Sequence, residues 1–271
     1  MCYSGLVDSH LHLQDFCPCV DVKTLIEQTM NAGVSHLVCN GESPADWPAV
    51  YGIAKQFPQV VPCYGLHPWF VRQESNNWVS ILEDLIALNQ CGIGETGLDR
   101  RNNKTELSLQ VEAFRIHLAL ARKYNRPIMV HCVRAWGLLV DILKGEPGLS
   151  QGLLIHAYAG SVDLIKPLSD MGAYFSFSGK VLYENYERSR LALAAMPLDR
   201  LLIESDAPNM LPPESYRLQP IVSSDGADCN HPANLPAILV GISDFLKISP
   251  ETLRHQLWQN SKIFFGSITN F

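Results

Sequence analysis

Asp8-Ser9-His10-Leu11-His12-Leu13-Gln14-Asp15 (DSHLHLQD, residues 8–15) stands where the first apolar run of this chain passes into its first loop. An open, doubly wound α/β sheet would carry a glycine-rich GxGxxG turn at that point, so that a phosphate could approach the backbone at a helix N-terminus. There is no glycine here. Two histidines stand two residues apart instead, and on a strand that spacing sends both imidazoles to the same side, as ligands reaching into one cavity require. The stretch argues against the dinucleotide-binding architecture and for a barrel, whose strand ends converge on one mouth.

Working outward, the same kind of segment recurs. LVDSH, HLVCNG, VVPCYG, CGIGE, PIMVHC, GLLIHA, AYFSFSG and LLIESD are about eight strand candidates. Between them lie stretches such as 22–32, 107–124 and 186–195, with apolar residues three and four apart and charges on the other face. Nearly continuous apolar strands, each followed by a helix, imply a parallel sheet covered on its outer face, and eight such units close on themselves. The expected fold is a (β/α)8 TIM barrel of the α/β class, a single domain over residues 1–271. Residues 207–232, rich in proline and polar side chains, read as a long loop after the last strand, and long loops in compact domains are commonly functional.

Composition agrees. A chain of 271 residues with 47% hydrophobic content can bury a barrel core. It has no uninterrupted apolar stretch long enough to span a bilayer and no export signal at its start, so a cytoplasmic protein without membrane attachment is expected. No obligate protein partner is evident. Of the eight cysteines, Cys39, Cys63, Cys91 and Cys132 sit in apolar strand-like runs and read as small core hydrophobes in a reducing compartment. Cys17 and Cys19 form a CPC that reads as a loop. A net charge of −6 speaks against a broad basic surface for nucleic acid, but leaves room for an enzyme that engages a few phosphates locally.

Chemistry concentrates at the strand ends. PIMVHC places His131, GLLIHA places His156 and LLIESD places Asp206 where strand gives way to loop, which is where barrels build their active sites. GIGETGLD adds Glu95, a carboxylate in an otherwise apolar run, whose burial without a cation or a donor would cost several kcal/mol. His10, His12, Glu95, His131, His156 and Asp206 are therefore expected to converge as metal ligands. His36, His117 and His255 have no second ligand nearby and read as structural; His231 is left open.

In this order, DSHLHL, GLHP, GIGETGLD, PIMVHCVRA, IHAYAGS, LLIESDAP and NHPANLP resemble the TatD family of metal-dependent deoxyribonucleases over nearly the whole chain. The resemblance implies a two-metal hydrolase of phosphodiesters. It groups His10, His12, Glu95 and Asp206 around one ion, and Glu95, His131 and His156 around the other. Two divalent cations about 3.5–4 Å apart could activate a water and hold the entering and leaving oxygens of the ester. Zinc, magnesium and manganese are all compatible with such ligands. Glu95 would bridge the ions, and Asp206 would either orient and deprotonate the water or serve as a ligand only. The implied substrate is nucleic acid, single-stranded DNA, attacked as by an exonuclease.

Two departures bear on substrate. Aromatic residues often follow GLD in the family, whereas Arg100 and Arg101 stand here, and a common HCFSG is here HAYAG. Arg134, three residues beyond His131, is placed to clamp a phosphate oxygen, and His67 is either a substrate contact or a structural histidine. Trp69 and Tyr158 could stack on a base or simply pack. Glu204 and Asn234 are candidates for fixing the ligands in place. An amidohydrolase, deacylase or lactonase acting on a small molecule or aminoacyl ester would use the same ligands, and a non-catalytic barrel would have no need of them.

Overall fold

The computed structural model describes residues 5–72, 77–101, 105–222 and 226–271; Cys2 lies outside them. Eight strands run parallel in chain order: β1 (Val7–Leu11), β2 (His36–Asn40), β3 (Val60–Tyr64), β4 (Gly92–Asp99), β5 (Ile128–Val133), β6 (Leu153–Ile155), β7 (Ala173–Phe177) and β8 (Leu201–Ile203). Each crosses to the next through helix or helical turn. The expected eight-stranded barrel with alternating helices is what forms.

Side chains as well as backbone close the barrel between β8 and β1. The Asp206 N–H donates to the His10 carbonyl at 3.0 Å and the His12 N–H to the Ala207 carbonyl at 2.8 Å. Ser9 Oγ donates to the Ile203 carbonyl at 2.9 Å, and Asp8 accepts from the Ser205 N–H at 2.9 Å and from Ser205 Oγ at 2.5 Å. Asp8 is therefore a closure residue. Burial pushes its carboxyl up to about 8 even though Ser205 pulls the other way.

Strand alternation separates two layers inside the barrel. Met129, Leu154, Tyr174 and Leu202 point inward at the closed end, with Phe264, Phe265 and Ile268 packed against them as a plug. Phe264 and Phe265 end the helix α9 (Pro250–Phe265). One strand period further on, the inward positions are His131, His156, Ser176 and Glu204, all buried. A second and larger apolar layer lies between barrel and helices. It seats α1 (Val22–Asn31), α2 (Trp47–Gln56), α3 (Trp78–Leu88), α4 (Leu107–Tyr124), α5 (Trp136–Gly145), α6 (Ile165–Asp170), α7 (Glu187–Ala194) and α8 (Leu235–Leu246). The stretch 207–232 is not featureless, because Ile221–Val222 and Asp228–Cys229 pair in a short antiparallel ribbon.

Cys39, Cys63, Cys91 and Cys132 are buried and free, as expected. Cys17 and Cys19 lie in the loop before α1, in keeping with the loop reading of the CPC, and their sulfurs are paired there. Among the described residues, no helix is long and apolar enough to cross a membrane.

Candidate metal centre

Glycine shapes the strand that carries the central carboxylate. Gly94 and Gly97 adopt φ of +141° and +142°, and a Cβ on Gly97 would lie 2.0 Å from the His131 carbonyl oxygen. Only glycine allows β4 and β5 to run this close. Glu95 is thereby brought to the barrel axis, 2% exposed.

The two oxygens of Glu95 face different partners. Oε2 lies 3.2 Å from His10 Nε2 and 3.4 Å from His12 Nε2. Those two nitrogens are 3.2 Å apart, and Asp206 Oδ1 is 3.5 Å from His12 Nε2 and 3.9 Å from His10 Nε2. Oε1 lies 2.8 Å from both His131 Nδ1 and His156 Nε2, which are 3.2 Å from each other, and 3.5 Å from His67 Nε2. His10 and His156 link the sets by stacking at 4.0 Å.

Outer contacts fix which nitrogen of each ring turns inward. His12 Nδ1 donates to the Asn40 carbonyl at 2.9 Å, so that Nε2 is the nitrogen turned to the site. His131 Nε2 lies 3.3 Å from Asp99 Oδ2, which also accepts from Trp69 Nε1 at 2.8 Å. His156 Nδ1 faces Glu204 Oε1 at 3.6 Å, and Glu204 is tied to the Ala157 N–H at 2.9 Å and to Ser176 Oγ. A carboxylate behind a ligating imidazole fixes its orientation and raises its basicity.

The electrostatics call for a cation. Burial opposes ionisation of Glu95, but His156, His67 and His10 outweigh it and hold the carboxyl well below its ordinary range. The surroundings favour a proton on His12, His131 and His156, whereas burial disfavours one on His10 and His67. Burial disfavours charge on His12, yet Asp206 and Glu95 push it up to about 10, and Glu95 and Glu204 likewise raise His156 against its own burial. Glu95 and Asp206 thus sit buried among imidazole rings, and among the described residues no lysine or arginine pairs with either.

The residues present fit a metal. Bonds of about 2.0–2.1 Å to a tetrahedral ion set neighbouring donors about 3.3 Å apart, and the His10, His12, Glu95 and Asp206 atoms have close to that spacing. The second set is drawn tighter, at hydrogen-bond length, as suits a protonated imidazole against a carboxylate.

Each residue expected at the strand ends is found in this cluster. His67 is also within it, buried in the second donor set and not at the mouth. Asn234 does not touch a ligand: its Oδ1 accepts from the Leu218 and Gln219 N–H groups at 2.8 and 3.0 Å, and its Nδ2 donates to Asn230. Asn230 Nδ2 in turn holds the Ser205 carbonyl at 2.7 Å, so Asn234 acts on the loop beside Asp206 at one remove. His231 is structural, its Nδ1 accepting from the Ala233 N–H at 2.9 Å. His36 is held by Ser35 and the Asn270 carbonyl. Tyr158 is buried packing, with its hydroxyl on the Ser161 carbonyl at 2.8 Å, whereas Trp69 is 39% exposed beside the site.

Sequence reading passed over Asp99, although its place on β4, two strand periods beyond Glu95 and on the same face, was a usable signal. It also passed over Lys180, Arg188 and Trp136 of the adjoining cleft, of which it had singled out Arg134, Arg101 and Tyr158. A cavity of about 380 Å³ opens beside His131 and His156 and is lined by Arg101, Arg134, Lys180 and Arg188 together with Trp136 and Tyr158. Among the described residues, no carboxylate pairs with Arg134, Lys180 or Arg188. Arg134, Ala157 and Asp206 hold left-handed backbone, with φ of 54°, 44° and 51°, just beyond the ends of β5, β6 and β8. Non-glycine residues bear that strain where the surrounding structure fixes a functional geometry.

The profile of the TatD related DNase family matches residues 7–266. A Haemophilus influenzae protein described as an uncharacterized metal-dependent hydrolase is 31% identical over 248 residues, covering 84% of this chain and 93% of its own. A Citrobacter koseri protein named 3'-5' ssDNA/RNA exonuclease TatD is 28% identical over 254 residues, covering 91% of this chain and 93% of its own. In fold, the crystal structure of a TatD homolog from Escherichia coli K12 superposes with a TM-score of 0.87 at 22% identity, over 96% of this chain and 98% of that one.

Proposed function

The chain belongs to the TatD related DNase family and is a metal-dependent hydrolase, and from that premise we propose that it hydrolyses phosphodiester bonds at an end of single-stranded DNA. In this reading His10, His12, Glu95 and Asp206 hold one divalent cation and Glu95, His131 and His156 the other, with zinc, manganese or magnesium as the ion. His67 stands ready to join the second set.

The observation that carries the phosphodiester reading is the group of cations beside the donors. Arg101, Arg134, Lys180 and Arg188 come from four separate elements and line one cleft with His131 and His156. Arg101 lies 3.7 Å from Asp99, but grouping Arg134, Lys180 and Arg188 beside it without a paired carboxylate among the described residues is unfavourable unless an anion is to be received there, and a net charge of −6 means the surface at large does not supply them. A neutral ester or amide would have no use for that group.

When bound, the cations supply electrophilic polarisation of the phosphoryl group and a lowered pKa for the attacking water. The chain supplies the rest. Glu95 presents one oxygen to each ion site and so fixes their relation. Asp206 is kept ionised by His12 and His10 despite its burial, and its backbone is held by the His10 carbonyl; it takes the proton of the water on its carboxylate. Arg134 offers its planar fork to the non-bridging oxygens, while Arg101, Lys180 and Arg188 hold the phosphates that follow.

The test is turnover by protein reconstituted with zinc, manganese or magnesium in parallel, on end-labelled single-stranded DNA and on a panel of esters, lactones and amides. Shortening of the DNA one nucleotide at a time is expected. Arg134→Ala should raise KM for the oligonucleotide roughly tenfold and flatten the dependence of log KM on log salt by about 0.7 per lost phosphate contact. Ester or amide turnover with intact DNA under every ion would replace this reading by the amidohydrolase one.

A further inference from the structure

The cleft beside His131 and His156 does not end at its outer wall. A second cavity, of about 720 Å³, adjoins it and shares Lys180, Tyr186 and Met210. Its far side is the loop after β8, through Asn209 and Arg217, together with Tyr183. Both volumes fall within the range of small-ligand sites. The side chains at the junction are those suited to a polyanionic strand bearing flat bases.

Tyr186 stands at that junction, 37% exposed, with its ring 6.0 Å from that of Tyr183. Tyr183 is anchored: its hydroxyl donates to the Pro212 carbonyl at 3.1 Å and receives Arg217 Nη2 at 3.4 Å. Arg217 is itself committed, donating to the Pro212 carbonyl at 2.9 Å and pairing with Asp228 at 3.2 Å. The second cavity therefore contributes little net charge beyond the Lys180 ammonium at the junction. An aromatic platform beside one free cation is how proteins hold unpaired nucleotides without reading their sequence.

Building on the phosphodiesterase reading, we propose that the second cavity is a subsite for the nucleotides adjoining the scissile one, with Tyr186 stacking an unpaired base and Lys180 meeting the phosphate between the two cavities. A stacked platform needs the face of a base to be free, so the subsite selects single strands over duplex. It also gives the long loop at 207–232 a role, because Asn209 and Arg217 line the same cavity as Tyr186.

The measurement is KM for dT2 and dT6 and, separately, binding of fluorescent dT2 and dT6 by anisotropy with the metal removed by chelator. The wild-type protein should favour dT6 by about tenfold in both. Tyr186→Ala should abolish that length advantage, Tyr186→Phe should keep it, and abasic spacers at the second and third positions of dT6 should reproduce the Tyr186→Ala loss without adding to it. Equal affinity for dT2 and dT6 in the wild type, or a length advantage that survives in Tyr186→Ala, would overturn the subsite. Length-dependent binding without hydrolysis of any phosphodiester would overturn the catalytic reading and leave the subsite standing. Tyr186 is a surface residue, and an unchanged melting temperature identifies folded variants.

Discussion

His117 should make this protein lose stability as pH falls through the range in which a free histidine gains its proton. The ring is fully buried on α4, stacked on Trp78 at 5.2 Å, with Nδ1–H donating to the Ala113 carbonyl at 2.7 Å and Nε2 accepting the Leu66 N–H at 2.9 Å. Only the neutral ring can do both. Burial lowers its pKa from 6.5 to about 4, against a weaker upward pull from Ala113. The unfolded chain therefore binds this proton first on acidification, so the stabilisation is complete above about pH 6.5 and is lost as pH falls toward about 4. At about 1.36 kcal/mol per unit, the gap is worth about 3 kcal/mol, of which about 2.5 kcal/mol is lost between about pH 7.5 and about pH 4.5. His117→Gln keeps an acceptor for Leu66 and does not titrate. Urea unfolding of both proteins across that range, with chelator present, should show the wild type losing about 2.5 kcal/mol more than the variant over the interval. Every other titrating group cancels in that difference. Parallel curves for the two proteins would refute the neutral-pin reading, whatever the variant costs at neutral pH. The consequence reaches the site, since Leu66 precedes His67, whose Nε2 is 3.5 Å from Glu95.

Two further outcomes follow from the outer contacts. Asp99→Asn removes the charge behind His131 and should weaken metal affinity about 10- to 100-fold in a chelator competition, with the fold unchanged by circular dichroism; unaltered affinity would mean that Asp99 does not act on the metal through His131. Metal binding near neutral pH should release at least one proton, because His12, held up to about 10 by Asp206 and Glu95 against its burial, must shed its own to ligate. Calorimetric titrations in two buffers of different ionisation enthalpy would give the count, and enthalpies independent of buffer would mean that His12 carries no extra proton before the metal binds.

The candidate site was legible in sequence as far as strand periodicity reaches. Alternation along a strand fixes which residues share a face, so His10 with His12, and Glu204 with Asp206, could be set together from spacing alone. An acid in an apolar run announced Glu95. Alternation also put Asp99 on the Glu95 face, and only the absence of a partner in the local sequence left it unread.

What each of those residues meets across the barrel was decided by the tertiary structure. The Asn40 carbonyl that orients His12 comes from the next strand, Glu204 stands behind His156 from two strands away, and Asp8 accepts from Ser205 at a separation of 197 residues. Asn234, close in pattern to the ligands, was carried one step away from them by the loop it anchors. The four cations of the cleft lie on β4's exit, β5's exit, the turn after β7 and α7, and no window of sequence contains them together. Local sequence determines period and strain because these act between neighbours along the chain. Convergence depends on closure of the whole sheet, and that is settled only when all eight strands have packed.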